Sequence, residues 1–433
     1  MLNHTETPAT TGAATFARLE SEVRSYCRSF PTVFRKAHNA TLTDIEGREY
    51  IDFLAGCASL NYGHNDPDMK SALVDYIMSD GVTHGLDMFT EAKEAFLISF
   101  SERILKPRGM DHRMMFQGPT GANAVEAALK LARKATGREN VIAFTNGYHG
   151  VTTGALAATG NGSQRAGSRS QLTGVTRMAY DGFHGEGVDS AQMLDDMLGD
   201  TSSGIDAPAA ILLECIQGEG GLNVASKEFL QRLSAIAKKH GALLIIDDIQ
   251  AGCGRSGDFF AFEFAGIQPD IITMAKSLSG FGLPMSMVLV KPEYDVFTPA
   301  EHNGTFRGNN HAFVTARAAL EKFWADDAFA KDIRRKADYL NQRLGAIAES
   351  YGFRVKGRGM MRGIDTGSGD KAAEICAAAF ERGLVIETAG SSDEIVKVLA
   401  PLTISDETFA RGLDIVAEAF ETVLRAPARV AAE

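Results

Sequence analysis

A pair of carboxylates and a lysine each follow an apolar stretch of the chain, and together they could perform carbonyl chemistry. Asp247 and Asp248 follow the run ALLII, and Lys276 follows a second, largely apolar run over 270–274. Continuous apolar runs rich in branched side chains predict strands buried on both faces of a parallel sheet. Open α/β sheets bind ligands at the carboxyl ends of their strands. A lysine desolvated there has a lowered pKa and can attack a carbonyl group, so these residues predict a carbonyl cofactor.

Composition and charge are those of an ordinary globular protein, and its 433 residues allow roughly two or three domains. The net charge of −11 offers no overall basic character to attract nucleic acid. No apolar stretch reaches membrane-spanning length, and the first residues lack the basic and apolar regions of a secretion signal. We therefore expect a cytoplasmic protein with no membrane or nucleic-acid partner.

The cysteines point to the same compartment. The five of them show no paired spacing, so the sequence predicts neither a disulfide framework nor a metal site. They are Cys27, Cys57, Cys215, Cys253 and Cys376.

Strand and helix patterns alternate from Met114 onward, which predicts an α/β fold with a mostly parallel central sheet and helices on both faces. Short extended runs on either side of Glu46 and Gly47 predict a hairpin near the N-terminus. The two chain ends are expected to form a smaller α+β domain. The predicted division is an arm and part of the small domain over 1–75, a large cofactor-binding domain over 76–320 and a C-terminal small domain over 321–433.

Two helices are predicted before the sheet, over residues 66–78 and 90–105, because their apolar residues recur at helical spacing. The second should turn a face of four apolar side chains to the core, namely Phe96, Ile98, Phe100 and Ile104.

The turn GPTG between a short strand and a helix is a candidate phosphate site. The helix that follows it carries Val125, Leu129 and Ala132 on one face. A helix start beside a glycine offers free backbone N–H groups and the positive end of the helix dipole, which favour a phosphate.

Several of these segments resemble class III aminotransferases, which have fold type I and use pyridoxal 5'-phosphate. The segments are IIDDIQAGCGRSG, MAKSLSG, QGEGG and GTFRGNN. The resemblance implies that Lys276 forms the Schiff base with the cofactor and that Asp247 contacts the pyridine nitrogen. A carboxylate there keeps the nitrogen protonated, so that the ring can accept electrons. Asp248 stands where the family commonly has glutamate.

The same resemblance assigns further cofactor contacts. It places the phosphate on Thr120, Gly121 and Ala122, the ring beneath Tyr148, and the phenolic oxygen on Gln250. His149, next to Tyr148, is a weaker candidate.

A threonine in GTFRGNN extends the resemblance to oligomeric state. In the family it reaches the phosphate of the neighbouring subunit, so Thr305 implies a homodimer or a dimer-based higher oligomer.

Two residues are expected to contact substrate. Glu219 matches an acid found in relatives that use both α- and ω-amino substrates. In those relatives the acid pairs with an arginine, and the pair opens or closes according to the substrate. The alternative is that Glu219 is a turn carboxylate bonded to nearby N–H groups. Lys397 stands where relatives carry that arginine, and it could instead be a solvated strand residue. Three arginines are unranked candidates for holding the carboxylate of glutamate: Arg165 and Arg169, both in a predicted flexible loop over 152–171, and Arg307.

Five segments narrow the expected reaction: VRSYCRSFPTVF, ASLNYGHNDP, AATGNGSQR, MAKSLSGFGLPMS and HNGTFRGNNHAF. These segments resemble those of class III aminotransferases that act on a diamino acid. The resemblance implies transfer of an amino group from L-glutamate to L-aspartate 4-semialdehyde, giving 2-oxoglutarate and L-2,4-diaminobutyrate. Two alternatives stay open. One is another enzyme on this scaffold, such as an ornithine, acetylornithine or γ-aminobutyrate aminotransferase or a mutase. The other is a binding protein without catalysis.

Overall fold

The computed structural model describes residues 13–168, 171–185 and 187–425. Its helices are α1 (Ala13–Leu19), α2 (Tyr26–Ser29), α3 (Ala55–Ala58), α4 (Pro67–Met78), α5 (Glu91–Phe100), α6 (Gly121–Thr136), α7 (Thr153–Ala158), α8 (Gly162–Ser168), α9 (Ser190–Gly199), α10 (Lys227–His240), α11 (Asn310–Phe323), α12 (Ala328–Tyr351), α13 (Gly369–Glu381) and α14 (Asp406–Arg425).

The strands of the described residues are β1 (Phe34–His38), β2 (Thr41–Asp44), β3 (Glu49–Asp52), β4 (Arg113–Phe116), β5 (Val141–Phe144), β6 (Val175–Met178), β7 (Ala210–Leu213), β8 (Ile216–Gln217), β9 (Asn223–Val224), β10 (Leu243–Asp247), β11 (Ile271–Met274), β12 (Met287–Val290), β13 (Arg354–Arg358), β14 (Met361–Asp365), β15 (Leu384–Val385), β16 (Glu387–Ala389) and β17 (Ile395–Val398).

A seven-stranded sheet forms the centre of the molecule, in the order β4-β12-β11-β10-β7-β5-β6. The pairs from β11 to β6 are parallel, whereas β12 is antiparallel to both of its neighbours. Strands β5, β7, β10, β11 and β12 are buried along their whole length, as continuous apolar runs predict for a sheet covered on both faces. The prediction of a mostly parallel central sheet is confirmed.

Helix α6 shows why the turn before it is well defined. The Thr120 side chain caps the helix by accepting from the N–H of Asn123 at 3.3 Å, and Gly137 ends it with a left-handed φ of 67°. Val125, Leu129 and Ala132 are buried against the sheet, as predicted. Burying one such Val or Leu side chain contributes about 1.5–3 kcal/mol, so the helix start is held in place by its own core face.

The chain ends build two smaller sheets. Strands β1, β2 and β3 form antiparallel pairs, with the predicted turn at Glu46 and Gly47 between β2 and β3, and β15 from the C-terminal region adds to β3. A second sheet has the order β13-β14-β17-β16. The domain boundaries at residues 75 and 320 stay a prediction.

Two local predictions were wrong. Residues 153–168 are not a loop, because they contain α7 and α8, whose alanine-rich and small side chains form helical turns. Ile98 is not a core residue: its side chain is 57% exposed, whereas Phe96 and Phe100 are buried. Residues four apart share a helix face, and the residue midway between them points to the opposite side. Among the described residues, the helices include none that is both long and apolar enough to cross a membrane.

Candidate active site

The carboxyl ends of β10 and β11 meet at a cavity of about 360 Å³. The two strands are in register, with Asp247 opposite Thr273, so that Asp247 and Lys276 reach the same edge of the sheet. Eight of the ten predicted site residues line this cavity: Thr120, Gly121, Ala122, Tyr148, Glu219, Asp247, Gln250 and Lys276.

Asp247 is a buried carboxylate held by three donors. His149 Nδ1 lies 2.7 Å from its Oδ2, while the Thr273 hydroxyl and the Ile249 N–H donate to its Oδ1 at 3.0 and 3.3 Å. An ionised carboxylate only accepts, so Nδ1 is the donor in the histidine contact. Burial lowers the pKa of His149, but the hydrogen bond and charge of Asp247 outweigh burial and raise it. The raised pKa favours a protonated His149 ring, which donates to Asp247 from Nδ1.

Lys276 extends from a backbone in the left-handed region, with φ of 50°. This conformation is uncommon for a residue with a side chain and is found at functional sites. Burial lowers the pKa of Lys276, although the charge of Glu219 opposes the shift. In the part of the chain that the structure describes, no hydrogen bond or ion pair involves its amine. The amine of Lys276 thus combines a lowered pKa with the lack of a fixed partner among the described residues.

The start of α6 forms a second part of the cavity wall. Thr120, Gly121 and Ala122 line it, and the first N–H groups of the helix have no carbonyl partner within it. A Cβ at Gly121 would lie 3.1 Å from Ile249 Cδ1, so a larger residue would crowd the wall there. The geometry suits an anion that approaches the backbone closely.

Tyr148 and Ile249 add flat apolar surface to the same cavity. The N–H of Tyr148 donates to Glu214 Oε2 at 2.9 Å, which fixes the strand end that carries the ring. Burial raises the pKa of Glu214 to about 8, so this acid is largely protonated at neutral pH. Gln250 donates from Nε2 to Glu219 at 2.9 Å, and its buried Oε1 has no partner among the described residues.

Glu219 and Lys397 form an ion pair behind the cavity, with 3.0 Å between Lys397 Nζ and Glu219 Oε1. Lys397 has no exposed surface, so the alternative of a solvated strand residue is wrong. A second acid, Glu387, lies 2.9 Å from the same ammonium. Burial acts against all three charges, yet the pairing lowers the pKa of Glu219 and raises that of Lys397.

The remaining candidates lie elsewhere. Thr305 is exposed and does not line the cavity of its own chain. Arg307 pairs with Asp87 at 3.8 Å, and Arg165 lies in α8 outside the cavity wall. Arg169 falls outside the described residues.

Sequence reasoning missed four contributors to this site. Three of them lie at or just after the predicted strand ends: His149 contacts Asp247, Thr273 donates to it and Ile249 forms part of the cavity wall. No spacing in the sequence indicates these contacts. Glu387 could have been found from the hairpin that pairs it with Lys397.

Comparison with known proteins gives a family match. The family described as aminotransferase class-III matches residues 24–420. The chain is 56% identical over 405 residues to the diaminobutyrate--2-oxoglutarate transaminase of Halomonas elongata, covering 92% of this chain and 96% of that protein. The protein of the same name from Vibrio parahaemolyticus is 55% identical over 411 residues, with coverage of 94% and 97%.

Solved structures agree with this match. The ornithine aminotransferase from Toxoplasma gondii superposes with a TM-score of 0.83 at 27% sequence identity, covering 96% of this chain and 95% of that one. An aminotransferase of Bacillus anthracis has a TM-score of 0.84 at 24% identity, covering 95% and 98%, and this likeness concerns the fold alone.

Proposed function

The chain belongs to the class III aminotransferase family, and from this membership we propose that it transfers the amino group of L-glutamate to L-aspartate 4-semialdehyde. The products are 2-oxoglutarate and L-2,4-diaminobutyrate, in the first step of ectoine biosynthesis. The observation that carries the proposal is identity of 52% to 56% with relatives named diaminobutyrate--2-oxoglutarate transaminase, over 92% to 94% of the chain. The family and the fold class predicted from the sequence are confirmed by these matches.

Pyridoxal 5'-phosphate is the cofactor that the cavity residues fit. One cavity is lined by the start of α6, whose first N–H groups have no carbonyl partner within the helix, and by Lys276 and Gln250. Among the described residues, the amine of Lys276 and the amide oxygen of Gln250 have no hydrogen-bond partner. When bound, this cofactor supplies an aldehyde that takes the substrate's amino group and a ring that accepts electrons as a C–H bond breaks. Gly121 and Ala122 would hold its phosphate through the first backbone N–H groups of α6, and Thr120, the N-cap residue, through its hydroxyl.

The ring would be held by residues of two strand ends. Tyr148 offers a flat face for stacking, and the carboxylate of Asp247 would contact the ring nitrogen. His149 supports this role because its donated hydrogen bond orients the side chain of Asp247. Gln250 would contact the phenolic oxygen.

Lys276 is the group that we assign to proton transfer. Its lowered pKa increases the fraction of neutral amine near neutral pH, which is the form that accepts a proton. In the glutamate half-reaction, Nζ would take the proton from the substrate carbon that bears the reacting nitrogen. In the acceptor half-reaction the direction reverses, and Nζ would deliver a proton to the former aldehyde carbon. Burial beside the apolar Ile249 and Ala275 limits water at this amine.

Glu219 and Lys397 are assigned to the substrate, as the switch between amino donor and amino acceptor. With Glu219 paired to Lys397, the ammonium is neutralised, which suits an uncharged reacting aldehyde or an ω-amine. For glutamate, release of Lys397 by Glu219 would free the ammonium to bind a carboxylate.

A second subunit is part of the proposal. Thr305 is exposed near a group of exposed apolar side chains, which in a lone chain would be a costly apolar surface. The group consists of Leu86, Met88, Phe89 and Phe306. We propose that a homodimer, alone or within a larger oligomer, covers this surface and lets Thr305 reach the partner's phosphate site.

We also propose that the enzyme works in the cytoplasm. All five of its cysteines are free thiols, as expected in a reducing compartment.

A steady-state assay tests the proposed reaction. Purified enzyme with pyridoxal phosphate should form 2-oxoglutarate from glutamate only when L-aspartate 4-semialdehyde or another acceptor is present. Acceptors of the alternative aminotransferases, such as glutamate semialdehyde, N-acetylglutamate semialdehyde and succinate semialdehyde, serve as comparisons. The proposal requires the highest kcat/KM with aspartate semialdehyde. A higher kcat/KM with another acceptor would favour the ornithine, acetylornithine or γ-aminobutyrate alternative. If no amino donor reduces the visible absorbance of the bound pyridoxal phosphate, the protein is non-catalytic.

A further inference from the structure

Lys397 forms ion pairs with two acids, Glu219 and Glu387. The switch proposed above assigns a role to Glu219 and none to Glu387. Strands β16 and β17 are antiparallel, and their register places Glu387 directly opposite Lys397. Lys397 Nζ lies 2.9 Å from Glu387 Oε1 and 3.0 Å from Glu219 Oε1. One buried ammonium therefore bridges two carboxylates from different parts of the chain.

This arrangement leaves negative charge uncompensated. Burial raises the pKa of Glu387 even though the charge of Lys397 opposes the shift. A third acid, Asp393, lines an adjoining cavity of about 170 Å³ together with Glu219. Two carboxylates thus contact one ammonium, so this wall carries net negative charge when both acids are ionised, which favours a cation over an anion.

Glu219 is the more accessible acid of the bridge, with a side chain that is 33% exposed, but Glu387 also retains access. Its side chain keeps 11% of its surface exposed, whereas that of Lys397 keeps none. In the described part of the chain, the one hydrogen-bond donor to its second oxygen, Oε2, is the thiol of Cys57, at 3.9 Å. The charge of Glu387 also acts on Lys276, whose pKa it raises against the effect of burial. The carboxylate can therefore accept another hydrogen bond and lies close enough to influence the reacting amine.

We propose that Glu387 binds the second ammonium group of a diamino substrate, namely the α-ammonium of L-2,4-diaminobutyrate while its γ-amine reacts beside Lys276. The inference rests on the proposed function and adds a specificity residue to it. The substrate's ammonium would compensate the carboxylate that Lys397 leaves under-neutralised, in a charge-assisted hydrogen bond. A substrate without that ammonium gains nothing from Glu387.

Two amino donors separate this role from a positioning role. L-2,4-diaminobutyrate and 4-aminobutyrate carry the same γ-amine and carboxylate and differ only in the α-ammonium. Their KM and kcat would be measured with 2-oxoglutarate as acceptor, in wild-type holoenzyme and in Glu387→Gln, which keeps the shape and removes the charge. If 4-aminobutyrate does not turn over, its inhibition constant replaces KM. We expect KM for diaminobutyrate to rise about tenfold, equivalent to about 1.4 kcal/mol, with kcat and the constant for 4-aminobutyrate nearly unchanged.

The matched control is Glu349→Gln, which removes an exposed acid of α12 and should leave both donors unaffected. A similar rise for both donors would overturn the inference, because Glu387 would then act only by positioning Lys397. No change for either donor would also overturn it. If Glu387→Gln does not fold, Glu387→Asp decides by the same comparison, since it keeps the charge on a shorter side chain and should raise KM for diaminobutyrate alone. A wild-type enzyme inactive with diaminobutyrate would instead refute the proposed function.

Discussion

Replacing Lys397 by methionine should destabilise the protein strongly, because it removes a fully buried ammonium that pairs with two partly buried acids. Each pair, at 3.0 and 2.9 Å, has a Coulomb energy of about 5 kcal/mol at an effective dielectric constant of about 20. Desolvation of the fully buried ammonium offsets several kcal/mol of this attraction. Leaving both acids without the lysine should therefore lower the free energy of unfolding by about 3–5 kcal/mol.

The loss should depend on pH in a defined direction. In wild type, pairing lowers the pKa of Glu219, so its contribution to stability is present at neutral pH and fades as pH falls through the folded-state pKa. In Lys397→Met, burial without the ammonium raises the pKa of both acids above their unfolded values. The variant is therefore penalised most at high pH, and the difference from wild type should shrink from pH 7.5 to pH 5.5.

Urea unfolding of the holoenzyme, followed by far-ultraviolet circular dichroism, measures this difference. Lys322→Met is the matched control, because Lys322 also contacts two carboxylates, those of Asp66 at 2.8 Å and Asp68 at 2.7 Å, but is 33% exposed. Its loss should cost less than about 1 kcal/mol. Adding Glu387→Gln to Lys397→Met should restore part of the stability. Equal unfolding midpoints for Lys397→Met and wild type would refute the electrostatic reasoning.

Three further variants test the cofactor and proton-transfer roles. Lys276→Ala should abolish transamination while the circular dichroism spectrum stays native, since the proton carrier is lost; measurable turnover would exclude that role. Asp247→Asn should retain cofactor absorbance but lower kcat by about a hundredfold or more, in the range of lost electrostatic stabilisation, and near-normal kcat would show that another acid serves the ring. Thr305→Ala should weaken cofactor binding in titrations. Mixing it with Lys276→Ala should restore part of the activity through hybrid dimers, and mixtures no more active than their parents would exclude a shared phosphate site.

The strand ends explain why the central site could be predicted from the sequence. Continuous apolar runs leave little freedom in where β10 and β11 lie, and parallel strands bring their carboxyl ends to one edge. Asp247 and Lys276 therefore had to meet. The hydrogen bond from His149 was not predictable in the same way, because it depends on the turn after β5 and on burial beside Glu214. Small residues in 153–168 predicted a loop, yet alanine is the strongest helix former and α7 buries its alanines.

Lys397 shows how tertiary context overrides a residue's usual preference. Isolated lysines are rarely buried, so a solvated side chain was a reasonable alternative for a residue on an edge of the small domain. The burial pattern of β17, in which Ile395, Val396 and Val398 are also buried, places the strand in the interior of its sheet, between β14 and β16. A lysine there requires carboxylate partners, because an unpaired buried ammonium would lose its proton or destabilise the fold.

The hairpin ETAGSSDEIVKV contains the sequence signal for one of those partners. Antiparallel strands joined by a short loop pair residues symmetrically about the loop, so fixing Ala389 opposite Ile395 necessarily sets Glu387 opposite Lys397. Opposite charges at paired positions of two neighbouring strands are a local pattern that needs no knowledge of the rest of the fold. The second partner, Glu219, comes from a distant turn after β8, and only the packing of the central and small sheets brings it to the lysine. The local pair thus persists wherever the hairpin forms, whereas the contact with Glu219 depends on the position of the small sheet. The contact with Glu219 is therefore the one that the proposed switch would break.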